Sequence, residues 1–200
     1  MLDTLDDLAD AVNYALAQFG YPQRTREEVR SFVGNGAGKL IARAVPQGAQ
    51  AQPVLAVFRE YYGAHCRVKT RPYDGILEAL AAIREKYPVA IVSNKPDSAA
   101  KDLCAVYFPG IFALGETEDC PRKPAPDMVF KALGELKADA CVYIGDSDVD
   151  VLTAKNAGAA CVSVLWGFQD EAKIAAAGGS RFCRTPAALL DFIEEIIYGQ

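Results

Sequence analysis

The stretch CVYIGDSDVDVLTAKNAGAA, residues 141–160, changes character twice. Cys141 to Gly145 is a short apolar run rich in β-branched and aromatic residues, the composition of a strand buried on both faces. Gly145-Asp146-Ser147-Asp148-Val149-Asp150 then places three acids within five residues, and Val149 to Ala157 reads as a helix. An apolar strand running through a polar turn into a helix is one unit of a parallel sheet, in which ligands sit at the carboxyl ends of strands.

The same grammar extends outward from this unit. From Pro72-Tyr73-Asp74-Gly75 onward, helices over Ile76–Tyr87, from Asp97, after Pro126, near Glu171 and over Pro186–Ile197 alternate with strands. Those strands are Val89–Ser93, Phe112–Glu116, Cys141–Gly145 and Cys161–Trp166, which predicts an α/β parallel sheet covered on both faces. The first 73 residues read as helical instead. Leu5, Leu8, Val12, Leu16 and Phe19 form a stripe at helical spacing, with Thr4-x-x-Asp7 as a capping-box variant and Gly20 and Pro22 as a stop. Thr25-x-x-Glu28 starts a second helix. Gly34 to Gly38 interrupts the pattern, Lys39–Val45 resumes it, and Pro53 suits the first residue of another helix.

Composition narrows the function. The chain has 200 residues, 51% hydrophobic and 24% charged, with a net charge of −5, as expected for one domain or a core with a small companion. No basic cluster suggests nucleic acid, no apolar run reaches about 20 residues, and no export signal opens the chain. Six cysteines without a C-x-x-C pair, and a single histidine, leave no zinc spacing. Reduced thiols and a cytoplasmic home are expected.

Three strand ends or loops carry groups for phosphate chemistry. Ser93-Asn94-Lys95-Pro96 offers a hydroxyl, an amide and an ammonium suited to phosphoryl oxygens, although a polar turn capping the next helix explains it equally. Lys123, within Arg122-Lys123-Pro124-Ala125-Pro126-Asp127, is a cation in a loop stiffened by prolines, or else a solvated surface lysine. Asp146, Asp148 and Asp150 repel unless a hard cation such as Mg²⁺ offsets them. Helix capping accounts easily for Ser147 and Asp148 and less well for Asp146.

Taken in order, Ser93-Asn94-Lys95, Lys123-Pro124-x-Pro126-Asp127 and Gly145-Asp146-Ser147-x-x-Asp150 resemble the second, third and fourth motifs of the haloacid dehalogenase-like hydrolases. RSFVGNGAGKLI, the PYDGI junction and VSVLWGF with the following AAG extend the resemblance to the phosphoglycolate phosphatase branch. The resemblance implies a doubly wound, Rossmann-like core at residues 72–200 and a helical cap at 4–71. It implies that Ser93 and Lys123 are catalytic and that Asn94 and Lys95, with Asn35 and Gly36 of the cap turn, bind substrate. Asp146 and Asp150 would serve Mg²⁺, Asp150 by supporting the metal or its water. The implied partner is a small phosphorylated metabolite, with no nucleic acid or membrane, in a monomer or homodimer.

The resemblance also shows a gap. The family's first motif, Asp-x-Asp-Gly-Thr at the end of a first, central strand, has no counterpart here, and Met1-Leu2-Asp3-Thr4 aligns just beyond it. Its nucleophilic aspartate forms an aspartyl-phosphate and its second aspartate is the general acid/base. Asp3, Asp6 and Asp7 are poor substitutes, because they belong to the helix entering the cap. The expectation is an N-terminally truncated phosphatase, inactive as given, whose flanking strands lie about twice the usual ~4.8 Å apart unless they close up or another segment intervenes. The alternative is a non-catalytic phosphate-binding or regulatory module.

Overall fold

The computed structural model describes residues 1–34 and 36–199. They form two compact units, Leu2–Arg71 and the residues from Pro72 onward with Met1.

The first unit is helical: α1 (Leu5–Gln18), α2 (Arg26–Phe32), α3 (Gly36–Ala44) and α4 (Ala51–His65). Leu5, Leu8, Val12 and Leu16 are buried as the spacing predicts, and α1 packs on α4 through Val54, Leu55 and Phe58. Phe19 leaves the stripe because the helix ends at Gln18 and Phe19 is its C-cap, exposed at the surface. Tyr14 stacks on Tyr61 at 3.9 Å between ring centroids, and Tyr61 stacks on His65 at 4.0 Å. α3 starts at Gly36 rather than Lys39, because burial of Leu40, Ile41 and Ala44 outweighs the ~1 kcal/mol cost of a helical glycine. α4 starts two residues before Pro53, which is tolerated in a first turn where its missing N–H has no helical partner.

The two predicted capping boxes fare differently. At α2 it closes both ways: Glu28 N–H donates to Thr25 Oγ1 at 3.1 Å and Thr25 N–H to Glu28 Oε2 at 2.7 Å. At α1 the Thr4 side chain makes no cap bond, and Asp3 Oδ1 accepts the Leu5 N–H at 3.1 Å instead. Asp7 turns away and accepts the backbone N–H groups of Lys69 at 2.9 Å and Thr70 at 2.8 Å. A buried carboxylate needs several donors, and two amides distant in sequence satisfy it better than one exposed cap. Asp7→Ala strands both amides and is expected to lower stability by about 1–3 kcal/mol, read from loss of helical circular dichroism in urea.

The second unit contains α5 (Ile76–Arg84), α6 (Asp97–Tyr107), α7 (Asp127–Leu136), α8 (Asp148–Ala157), α9 (Glu171–Ala176) and α10 (Leu189–Tyr198). Its strands follow two very short ones, β1 (Leu2–Asp3) and β2 (Arg71–Pro72), which pair with each other. They are β3 (Ala90–Pro96), β4 (Phe112–Glu116), β5 (Val142–Gly145), β6 (Ala160–Val164) and β7 (Phe182–Cys183). β3 pairs with β4, and β5 with β6 and β6 with β7, all parallel.

Alternation assigns two helix layers. Val142, Val162 and Val164 pack with Ala79, Ile83, Leu189 and Ile193 of α5 and α10. Cys141, Tyr143 and Cys161 pack with Val129 of α7 and Ala154 of α8. In β3, Val89 just before the strand falls in the first layer and Val92 in the second. The two strand groups therefore share both helix layers, and the core is a doubly wound α/β fold.

β3 and β5 nevertheless do not pair, and each has one strand neighbour among the described residues. They are less buried than their neighbours β4 and β6. No residue of β3 is fully buried and Ile144 of β5 is 37% exposed, whereas β4 and β6 each bury two or more. All six cysteines are free thiols, and no described helix is long and apolar enough to cross a membrane.

Candidate active site

Three segments converge through their polar groups: the end of β3, the loop before α7, and the turn from β5 into α8. Asn94 at the end of β3 clasps the backbone of Lys123. Lys123 N–H donates to Asn94 Oδ1 at 2.7 Å, and Asn94 Nδ2 donates to the Lys123 carbonyl at 3.1 Å. Asn156 of α8 holds the next residue, donating to the Pro124 carbonyl at 2.9 Å. A loop pinned on both sides aims its lysine more narrowly than a surface loop could.

The Lys123 ammonium meets Asp150 Oδ1 at 2.7 Å, with the two side chains only 14% and 6% exposed. Burial alone would lower the lysine pKa, but the Asp150 carboxylate outweighs it and holds Lys123 above the ordinary lysine range. Burial would likewise raise the Asp150 pKa, and the Lys123 charge with the surrounding hydrogen bonds holds it below the usual carboxylate value. Both groups are charged at neutral pH.

Asp150 does more than pair with lysine. Its Oδ1 also accepts the Tyr143 hydroxyl at 3.1 Å, and its Oδ2 accepts Ser147 Oγ at 2.6 Å and the Asp146 N–H at 3.1 Å. Four donors occupy its two oxygens, so Asp150 presents no open oxygen to a cation. This geometry makes it the anchor of Lys123 and of the Asp146 turn. Gly145 permits the arrangement, since a Cβ there would lie 2.2 Å from Asp150 Cβ.

Asp146 is the more open acid. Its Oδ2 accepts the Phe168 N–H at 3.0 Å, and Oδ1 carries no hydrogen bond among the described residues. Asp148 is held apart by Gln169, whose Oε1 accepts the Asp148 N–H at 2.8 Å and whose Nε2 donates to Asp148 Oδ1 at 2.9 Å. The described residues include no group of three or more His, Cys, Asp or Glu arranged to hold a metal. The Met1 amino group lies among the same charges; desolvation lowers its pKa, Asp146 and Asp150 oppose that shift, and Lys123 adds to it.

The other expected site residues make local contacts. Ser93 Oγ accepts the Lys95 N–H at 3.2 Å, beside Asn94 on β3. Gly36 opens α3 in the helical unit with φ 84°, and Asn35 lies outside the described residues. The three N-terminal acids all have structural partners. Asp3 bonds Leu5, Asp6 pairs with Arg26 at 2.6 Å, and Asp7 holds Lys69 and Thr70.

The haloacid dehalogenase-like hydrolase family matches residues 1–164 of this chain. The chain belongs to that family. The phosphoglycolate phosphatase of Vibrio parahaemolyticus is 29% identical over 96% of this chain and 91% of its own length. That of Pseudomonas fluorescens is 31% identical over 100% and 75% respectively. A solved structure from Lactobacillus delbrueckii subsp. bulgaricus superposes with a TM-score of 0.89 at 34% identity, covering 100% of this chain and 94% of that one. These relatives put the chain in the phosphoglycolate phosphatase-type branch of the haloacid dehalogenase-like hydrolases.

Gly145 and Ser147 belong to the motif read from the sequence, and Gly167 and Phe168 to the VSVLWGF stretch, whereas motif spacing does not reveal Tyr143 and Gln169 as members of this cluster. Tyr143 looked like an ordinary strand residue, and its partner Asp150 lies on the following helix. The available clue was Gly167 after β6, a glycine at a strand end where backbone and side chain pass closely. A Cβ there would lie 2.0 Å from Asp146 Oδ2.

Proposed function

We propose that this chain carries the phosphoryl-binding and metal-binding machinery of a phosphatase for a small phosphate monoester such as phosphoglycolate. The observation that carries this reading is the buried, charged Lys123, held in place by Asn94 behind and Asp150 beside it. A pre-aimed ammonium in a low-dielectric cluster stabilises charge on a transferring phosphoryl group without reorganising. The phosphoglycolate assignment rests on the names of the relatives.

In this reading the Ser93 hydroxyl and the Lys123 ammonium hold phosphoryl oxygens, while Asn94 keeps the lysine loop in register. Lys95 contacts the rest of the substrate. Mg²⁺ commonly binds through one or two carboxylates, waters and substrate phosphate, and Asp146 Oδ1 suits it, whereas Asp150 acts behind it. When bound, Mg²⁺ supplies positive charge that lowers the cost of the developing phosphoryl anion. The family's reaction proceeds through an aspartyl-phosphate, whose carboxylate lies on an Asp-x-Asp-Gly-Thr motif that these 200 residues do not contain. The protein works in the cytoplasm as a monomer or homodimer, on a small phosphorylated metabolite, with no nucleic-acid or membrane partner.

A second reading, a phosphate-binding module with no catalytic role, is favoured by the state of the acids. Asp150 is saturated, Asp148 is held by Gln169 and Asp146 is bonded to Phe168. Both readings require phosphate with Mg²⁺ to raise the melting temperature, and no stabilisation by either ligand overturns both. They separate when a strand segment ending in Asp-x-Asp-Gly-Thr is placed ahead of Met1. The phosphatase reading expects Mg²⁺-dependent hydrolysis of an aryl phosphate, reduced about 100-fold or more by Lys123→Ala. Phosphate binding without turnover in that extended protein rejects it in favour of the module.

A further inference from the structure

Asp146, Asp148 and Asp150 lie on one short turn, and among the described residues their oxygens are engaged unequally: Asp146 Oδ1 carries no hydrogen bond, while Asp148 Oδ2 meets only Lys173 Nζ, at 3.6 Å. Asp150 is drawn inward by Lys123, Tyr143 and Ser147. Asp148 and Asp146 are both fixed by one loop, Gly167-Phe168-Gln169, which follows β6. The loop is anchored before by Leu165 N–H, which donates to the Cys183 carbonyl at 3.0 Å, and after it the chain enters α9, whose first turn is closed by Lys173 N–H to the Asp170 carbonyl at 3.1 Å.

Gln169 is the latch of this loop. It is 7% exposed, and a buried amide is costly unless both its donor and its acceptor are used. Both are used on the same residue, Asp148, through its backbone N–H and its Oδ1. Asp148 Oδ2 also lies 3.6 Å from Lys173 Nζ. With the latch closed, Phe168 N–H bonds Asp146 Oδ2, and Gly167 passes so close to Asp146 that no side chain fits. One oxygen of Asp146 is thereby fixed, and the other carries no protein hydrogen bond among the described residues.

We infer that Gln169 is a positioning residue for the cation site. By clamping Asp148 it holds the Phe168 amide on Asp146 Oδ2, so that Oδ1 meets Mg²⁺ already oriented and free of a competing carboxylate. The inference rests on reading Asp146 as the carboxylate that binds the cation. Outer-shell partners of this kind are worth about 10–100-fold in metal affinity. A merely structural role for Gln169 would lower melting temperature and leave cation affinity unchanged.

The test is direct Mn²⁺ binding, by calorimetry and by the loss of free-ion paramagnetic signal, on the 200-residue chain. Gln169→Leu keeps the size, removes both bonds, and is expected to weaken Mn²⁺ binding about 10–100-fold while phosphate binding without metal changes little. Asp148→Asn keeps an acceptor oxygen and the backbone N–H, and is expected to bind Mn²⁺ like the wild type. Asp146→Asn is expected to abolish the site. Unchanged Mn²⁺ affinity in folded Gln169→Leu overturns the role of Gln169, even if that variant melts earlier. Absence of Mn²⁺ binding in the wild type, or equal binding in Asp146→Asn, overturns the Asp146 reading itself and the inference with it. Should Gln169→Leu fail to fold, Gln169→Glu retains the acceptor for the Asp148 N–H but sets a carboxylate against Asp148 Oδ1. Wild-type Mn²⁺ affinity in that variant likewise overturns the proposal.

Discussion

Lys123→Ala is expected to lower the stability of the core unit by about 3–5 kcal/mol, the penalty for leaving one member of a buried ion pair uncompensated. The stranded group is the Asp150 carboxylate, 6% exposed. Asp150→Ala should cost at least as much, because it orphans the Lys123 ammonium, the Tyr143 and Ser147 hydroxyls and the Asp146 N–H together. The double variant should be less unstable than the sum of the singles, with a coupling of about 2–3 kcal/mol. Additive single effects in urea unfolding would show that the pair contributes nothing.

The same pair sets a pH window. Asp150 has a depressed folded pKa, so its contribution is complete above the ordinary carboxylate value of about 4 and is lost as pH falls through the lower folded value. Lys123 has a raised folded pKa, so its contribution is complete below about 10.4 and is lost as pH rises through the higher folded value. The pair's contribution is therefore flat between those limits. The Lys123→Ala curve should lack the acid limb due to Asp150, because an unpaired buried carboxylate gains rather than loses stability on protonation.

Gly145→Ala is the second large effect. The added methyl would sit 2.2 Å from Asp150 Cβ and 2.3 Å from its Cγ. Neither is the free end of a flexible chain, so the first turn of α8 must move away from β5. Overpacking of this kind and partial loss of the Lys123–Asp150 pair together should cost at least about 3 kcal/mol. Gly134→Ala supplies the contrast. Gly134 lies in α7 with nothing within 4 Å of its virtual Cβ, and the change should stabilise by about 0.5–1 kcal/mol. Equal urea midpoints for the two variants would refute the steric account.

The βα grammar was legible because the core strands are short apolar runs and the helices carry ordinary start signals. Phe112–Glu116 and the helix from Asp97 fall where the residues place them. What the sequence could not show was competition among partners. Thr4-x-x-Asp7 has the spelling of a cap, but the Lys69 and Thr70 amides arrive from sixty residues away and take Asp7. Asp146, Asp148 and Asp150 alternate along one turn, and in the sequence Asp148 already stands apart as a capping residue from Asp146 and Asp150 as metal residues. Local spacing is silent on Gln169, which separates Asp148 from Asp146, and on Tyr143, which reaches Asp150 from the neighbouring strand. The β5–α8 turn was thus visible as a polar site, while the division of labour within it depended on contacts made by folding.

The open sides of β3 and β5 have a bearing on how the protein behaves in a tube. Backbone amides along those sides have no strand acceptor among the described residues, and should trade hydrogen for deuterium sooner than the amides of β4 and β6. A bare strand side is also a template for another chain. For a chain of these 200 residues concentration is consequently a variable: dilute samples should stay clear, while concentrated ones should build up intermolecular sheet.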